Sequence, residues 1–561
     1  MKNLWALALA CAATVAVVRA QAPAPANTFT LDRVLDYPFP ANLVAAPKGQ
    51  TIAWTFNERG SRNIYVAEGP DFQPRRVTPY LEDDGQELTG LAFAPDGKTI
   101  VYVRGGDHGA NWPAEGNLQP NPNSSGGQPR IGVWSIATRG SATPKLLGEG
   151  DDPAIAPSGT RVAFVRDKKI YLAPLDGSAP AELAFFARGS SESPAWSPDG
   201  SALAFVSNRD DHAFIGIFTE ARQPIRYLSA STSRDGQPMW SNEGGKIAFV
   251  RQPGRGGVPQ SPLLQRPQPW SIMVGDARAG GPAFESWKSG RALVDSMPGA
   301  VNLRWAADDH VVFTSYQGGW PHLYAIHHPG EGGKPALLTP GAFMVEHVAL
   351  TPDGRFLVYS ANTGRDPHDG DRRHLFKVAV DGSAPPVAMT SGIGIEWSPV
   401  VTGDGQSIAF LGSTAQQPPL PAVMPLAGGA PKQIAAGRVP PTFPSRQLIT
   451  PEPVTFAASD GLEIHGHLFK TPEGDARRPA LVYVHGGRRG RRGRHPGRHP
   501  RFPAVADLAH GDDGDRRVLR KALPEEGVRF APRTPHLAPR CLTYVCLIHM
   551  LPSYVVRPRA A

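Results

Sequence analysis

One short motif, repeated along most of the chain, restricts the fold more than any other feature. It reads Phe93-Ala94-Pro95-Asp96-Gly97, Trp196-Ser197-Pro198-Asp199-Gly200 and Leu350-Thr351-Pro352-Asp353-Gly354. Looser copies are Ala45-Ala46-Pro47-Lys48-Gly49, Ile155-Ala156-Pro157-Ser158-Gly159 and Trp240-Ser241-Asn242-Glu243-Gly244, and Trp305-Ala306-Ala307 and Trp397-Ser398-Pro399 complete eight. The motif suits a type I turn: Pro presets φ, Asp bonds nearby backbone, and Gly tolerates the exit conformation. Each copy feeds a β-prone run such as Ile100-Val101-Tyr102-Val103 or Ile247-Ala248-Phe249-Val250. Taken at positions 47, 95, 157, 198, 242, 307, 352 and 399, the copies lie 41 to 65 residues apart. A unit of just over forty residues with four strands is a β-propeller blade. The expectation is a mainly β chain: a propeller of seven or eight blades within residues 27–445. The long steps hold insertions at Gly105–Arg130 and Arg251–Trp270. Trp196, Trp240, Trp305 and Trp397 are read as one repeat position that packs blade cores.

Composition agrees with short strands and tight turns. The 561 residues include 61 Gly and 59 Pro, which excludes helical bundles and coiled coils. The net charge of +8 invites a nucleic-acid reading. However, residues 488–561 carry 15 Arg and one Lys against six acidic residues, so residues 1–487 are net −2. The basic character belongs to the final stretch, and no nucleic-acid partner is expected.

The N-terminus has the form of a signal peptide over residues 1–20. Lys2 precedes an apolar run from Leu4 to Val18, and Val18-Arg19-Ala20 offers small residues at the cleavage spacing. Fifteen apolar residues are short for a membrane span of about 20. Export to the periplasm or outside the cell is expected, with no stable membrane insertion. Residues 21–540 contain no cysteine, so neither disulfides nor cysteine-ligated zinc can organise the main fold.

After a Pro-rich connector the pattern changes. Two β-like runs flank Asp460-Gly461, a hairpin signal, within Val454–Phe469. Ala480-Leu481-Val482-Tyr483-Val484 then reads as a buried strand that runs into His485-Gly486-Gly487. The order of propeller, hairpin and strand with a His-Gly-Gly loop resembles the prolyl oligopeptidase family of serine peptidases. The likeness is to its dipeptidyl-peptidase-IV-like and acylaminoacyl-peptidase-like branches, and the turns are similar to TolB-type repeats. The resemblance covers about residues 27–487. It implies that residues 450–487 begin an α/β-hydrolase domain, with His485, Gly486 and Gly487 beside the oxyanion hole. It also implies short-peptide hydrolysis by a Ser-His-Asp triad through an acyl-enzyme, without metal or cofactor.

The family pattern then stops. Gly487 runs into Arg488-Arg489-Gly490-Arg491-Arg492-Gly493, and the chain contains no Gly-x-Ser-x-Gly. Gly405-Gln406-Ser407-Ile408-Ala409 comes nearest but falls on a blade turn and strand. No residue is assigned to the triad, since a serine needs a base and an oriented third group within reach. The expectation is a family member truncated within its hydrolase domain and therefore inactive. The alternative is a non-catalytic propeller that binds peptides or proteins. The tail 488–561 is read as disordered: an alternate-frame product, a short native C-terminus or a basic arm. Asp366, His368, Asp369, Asp371 and His374 lack metal-ligand spacing and are expected in a solvated loop. His322, His327 and His328 are expected at a blade edge.

Overall fold

The computed structural model describes residues 29–105, 130–140, 143–255, 267–457, 463–470, 480–485 and 544–549. The signal region, the cores of both insertions, Gly486, Gly487 and most of the tail lie outside the described residues. Eight four-stranded units follow one another in chain order, each an antiparallel meander whose first strand lies innermost. The inner strands are Phe39–Ala45, Leu88–Phe93, Asp151–Ile155, Ser190–Trp196, Arg234–Trp240, Arg304–Trp305, Val345–Leu350 and Ile395–Val401. Successive inner strands pack on one another from blade 1 to blade 6 and from blade 7 to blade 8, blades 6 and 7 share one apolar core, and the inner strand of blade 1 packs on blade 8. The result is an eight-bladed propeller around a central channel. The fourth and fifth blades also share one parallel bridge, Ala213 to Arg234.

Local chemistry explains the blade. In the turn from inner to second strand, the Gly97 N–H donates to the Ala94 carbonyl at 2.8 Å, and Asp96 Oδ1 accepts from the Lys98 N–H at 2.9 Å. Gly97 has φ +68°, a left-handed conformation that few other residues adopt without strain. Where Ser or Thr opens the turn its hydroxyl closes the far side, as when the Ala202 N–H donates to Ser197 Oγ at 2.9 Å. The eighth turn corrects the sequence reading. Strand register aligns Val401 with Ile408 as it aligns Trp240 with Ile247, whereas Trp397 lies opposite Leu411. The turn is Thr402-Gly403-Asp404-Gly405, with the Ser407 N–H on Thr402 Oγ1 at 3.0 Å, and Ser398-Pro399 belongs to the strand before it. Ser407 is a turn-and-strand residue, as expected. Trp196 and Trp240 do share a position, and each indole N–H donates to an inner-strand carbonyl of the preceding blade (Ala154, 3.0 Å; Ala195, 2.9 Å).

Side chains between blades supply the stabilising burial. At the seam that closes the ring, Ile52, Trp54, Phe56 and Tyr65 of blade 1 bury against Ala409, Leu411, Leu420 and Ile434. Among the described residues no strand is exchanged across this seam. Arg438, just past blade 8, pairs with Glu58 at 2.6 Å and lies over the Tyr65 ring.

A second sheet has the order Glu452–Ala457, Glu463–Lys470, Tyr544–His549, Ala480–His485. Tyr544–His549 runs antiparallel to Glu463–Lys470 and parallel to Ala480–His485. Six residues of the basic tail region thus form a strand between the two that precede it.

Candidate functional site

Strand direction gives the disc two unlike faces. Inner strands run towards the Pro-Asp-Gly turns, so those turns occupy one face. The opposite face receives the connections between blades and the described hairpins between second and third strands. The chain enters the first blade and leaves the eighth there as well, so we call it the linker face. Large apolar side chains exposed among the described residues follow this division. Leu146, Phe284, Leu337 and Val387 sit on outermost strands, while Leu31, Leu81, Phe186, Val294 and Ile393 lie on linker-face segments. Phe186 is 84% exposed.

The inner strands carry a second pattern that their sequences hide. Asn42, Asp152, Ser193, Gln237, Asn302, His347 and Ser398 have φ between +48° and +56°, and Gly90 has +60°. One such residue occurs per blade. Seven inner strands show a bulge at or beside it, which bends the strand and breaks its register. Seven of the eight residues are polar, and they form a tier at the linker-face end of the channel. Neighbouring blades are bonded through it: the Ser193 N–H donates to Asp152 Oδ2 at 3.0 Å, and Asn42 Nδ2 donates to the Leu88 carbonyl at 2.8 Å. Sequence reasoning missed this tier because no single residue type marks it.

Beside that tier lies the charged group expected to be a solvated loop, and here the expectation fails. His374 is 1% exposed. Its Nδ1 lies 2.9 Å from Glu396 Oε2 and its Nε2 lies 3.1 Å from Asp369 Oδ1. Carboxylates only accept hydrogen bonds, so both ring nitrogens donate and the ring is an imidazolium. Burial opposes that charge, yet the bonds to Glu396 and Asp369 hold the pKa above its ordinary value. Arg372 reaches Asp369 at 3.1 Å, and Thr390 donates to Glu396 at 2.8 Å. Two cations thus balance two carboxylates where blade 7 meets blade 8. The loop turns inward because Asp366 caps the 3-10 turn Pro367–Asp371 and Asp369 bonds back to the Asp366 N–H at 2.9 Å. Asp366 and His368 themselves stay exposed. No group of His, Cys, Asp or Glu among the described residues could hold a metal ion. His322 is also buried, with Nε2 2.9 Å from the Gly341 carbonyl, whereas His327 and His328 are exposed. Buried Asp235 and half-buried Arg251 form another ion pair, at 2.7 Å, on the linker face.

Of the residues assigned by resemblance to the oxyanion side, His485 ends the strand Ala480–His485. Gly486 and Gly487 lie outside the described residues. No helix among the described residues is long and apolar enough to cross a membrane.

No family model matches the chain. Over 238 residues it is 27% identical to "Uncharacterized peptidase YuxL" of Bacillus subtilis, a match covering 39% of this chain and 31% of that protein. Over 186 residues it is 26% identical to "Protein TolB homolog" of Chlorobium luteolum, covering 32% of this chain and 37% of the relative. These matches span about a third of the length of each curated relative. Among solved structures, the fold is similar to Porphyromonas gingivalis dipeptidyl peptidase 4, with TM-score 0.55 and 14% identity, over 81% of this chain and 69% of that one. It is similar also to a puromycin hydrolase, with TM-score 0.52 and 14% identity, over 82% of this chain and 63% of the other. The resemblance to peptidases of this type and to TolB propellers therefore stands, and at such identities the structural likeness is one of fold.

Proposed function

We propose that this chain is an exported relative of the prolyl oligopeptidase-like serine peptidases, whose reaction is hydrolysis of short peptides through an acyl-enzyme, and that the chain itself does not catalyse it. The observation that carries this reading is the continuity of the linker face. An eight-bladed ring presents apolar side chains on the face where its chain leaves, and that chain enters a sheet whose strand ends at His485. A peptidase portion above the channel mouth would meet this face and receive peptides small enough to pass. The inactivity rests on chemistry: the sequence holds no Gly-x-Ser-x-Gly in which a serine could meet a base and oxyanion donors.

The purified full chain, treated with a fluorophosphonate and digested, should show no saturable modification of a serine. Saturable labelling of one serine would overturn the inactivity. Export is tested by the N-terminus of the chain recovered from cells. It should begin at Gln21, and recovery of an unprocessed chain only from the cytoplasm would reject export. The match to TolB homologues favours a second reading, a non-catalytic propeller that binds peptides or proteins. That reading gains if the unlabelled chain still binds peptides.

A further inference from the structure

The channel wall has one residue that breaks its own repeat. Two positions beyond the left-handed residue, the inner strands carry Val44, Ala92, Ala154, Ala195, Met239, Ala349 and Val400, and blade 6 carries Arg304. The equivalence is structural. Arg304 lies opposite Val312 in the second strand, as Met239 lies opposite Ala248 and Val400 opposite Ala409. Seven blades therefore place a small or apolar group at this level and one places a guanidinium.

The surroundings of Arg304 do not use its charge. Arg59, Arg104, Arg251, Arg372, Arg373 and Arg438 each meet a carboxylate. Arg304 has only the Leu303 carbonyl, 2.9 Å from its Nη1, and no carboxylate partner among the described residues. It is exposed although it stands on an innermost strand, so solvent reaches it through the channel. Protein nonetheless surrounds it closely enough that desolvation lowers its pKa. A guanidinium that solvent reaches and no carboxylate occupies can take a planar anion that accepts two parallel N–H bonds.

We infer that Arg304 anchors a carboxylate inside the propeller channel, and that the ligand is the free C-terminus of a short extended peptide entering from the linker face. The next tier towards that face, roughly 7 Å away at the rise of a β-strand, offers Gln237, Asn302 and His347 on blades 5, 6 and 7. Amide and imidazole groups suit a peptide backbone. The inference rests on the propeller alone and holds whether or not the peptidase reading does.

The test is calorimetric titration of the full chain with trialanine, with its C-terminal amide and with inorganic phosphate. The expected result is binding of the acid with at least tenfold loss for the amide, similar loss in Arg304→Ala, and partial retention in Arg304→Lys, which keeps the charge but not the fork. Arg304→Ala should melt no lower than the parent, because the exposed side chain bonds only the carbonyl of its neighbour Leu303. Equal binding of acid and amide by the unaltered chain would overturn the proposal without recourse to any variant. Undiminished binding by a folded Arg304→Ala chain would also overturn it, as would phosphate binding as tightly as the peptide.

Discussion

Replacing His374 with alanine is the most informative single perturbation of the blade 7–blade 8 junction. The imidazolium lies between Asp369 and Glu396, at 3.1 and 2.9 Å, with all three side chains largely shielded from water. After its removal Asp369 keeps Arg372 and the Asp366 N–H, whereas among the described residues Glu396 keeps only the Thr390 hydroxyl. An ion pair broken from one side in a buried setting costs about 3–5 kcal/mol, which sets the expected loss in urea unfolding followed by tryptophan fluorescence. Trp397, next to Glu396, places a reporter at the junction. The pH dependence has a definite sign. The folded pKa of His374 lies above its ordinary value, so its contribution is complete below about pH 6.5 and fades as pH rises through the folded pKa. The gap between parent and His374→Ala should therefore narrow on the alkaline side. Adding Glu396→Gln to the variant should recover part of the loss by removing the stranded charge. A loss below about 1 kcal/mol, the range of exposed pairs, would refute the clasp, as would a gap unchanged between pH 6 and 9.

Three further perturbations test other parts of the fold. Trp54→Ala empties a fully buried site at the ring-closing seam and should cost about 3–5 kcal/mol in equilibrium unfolding. Thr402→Val removes the hydroxyl that closes the reassigned eighth turn and should cost about 1–3 kcal/mol, whereas Ser398→Ala should be nearly silent. The opposite ranking would restore the Trp-Ser-Pro assignment. Asp199 is pulled down to about 2 by hydrogen bonds from the Ser197 hydroxyl and from Ser201. Its contribution is present above the ordinary value near 3.9 and is lost as pH falls towards the folded pKa. Asp199→Asn should flatten the acid limb of stability between pH 4 and 2, and an unchanged limb would reject that role.

The blade turns were legible because their chemistry is local. Pro-Asp-Gly and the preceding hydroxyl make their bonds within a few residues, so sequence alone locates them. Trp397-Ser398-Pro399 misled because it copies the letters of Trp196-Ser197-Pro198 without the acceptor and glycine that the turn needs; those stand at Asp404 and Gly405. The polar channel tier was not legible, since Asn, Asp, Ser, Gln, His and Gly all occupy a backbone conformation set by the bulge. His374 was hidden for a different reason. Its partners Asp369 and Glu396 come from separate segments, and only the packing of two blades brings them together. Of the candidate oxyanion loop, the strand was readable from its apolar run, while a role for His485 rested on resemblance throughout.

The uninterrupted build of each blade has a topological consequence. Since every sheet of the ring uses consecutive strands and, among the described residues, none borrows a strand from across the seam, Phe39 and Gln433 bound an arc whose end blades meet. The ring has no privileged opening. Joining those ends through a short linker and cutting between any other two blades would give a circular permutant with the same eight sheets and the same channel, and its closing seam would then be one now spanned by a covalent connection.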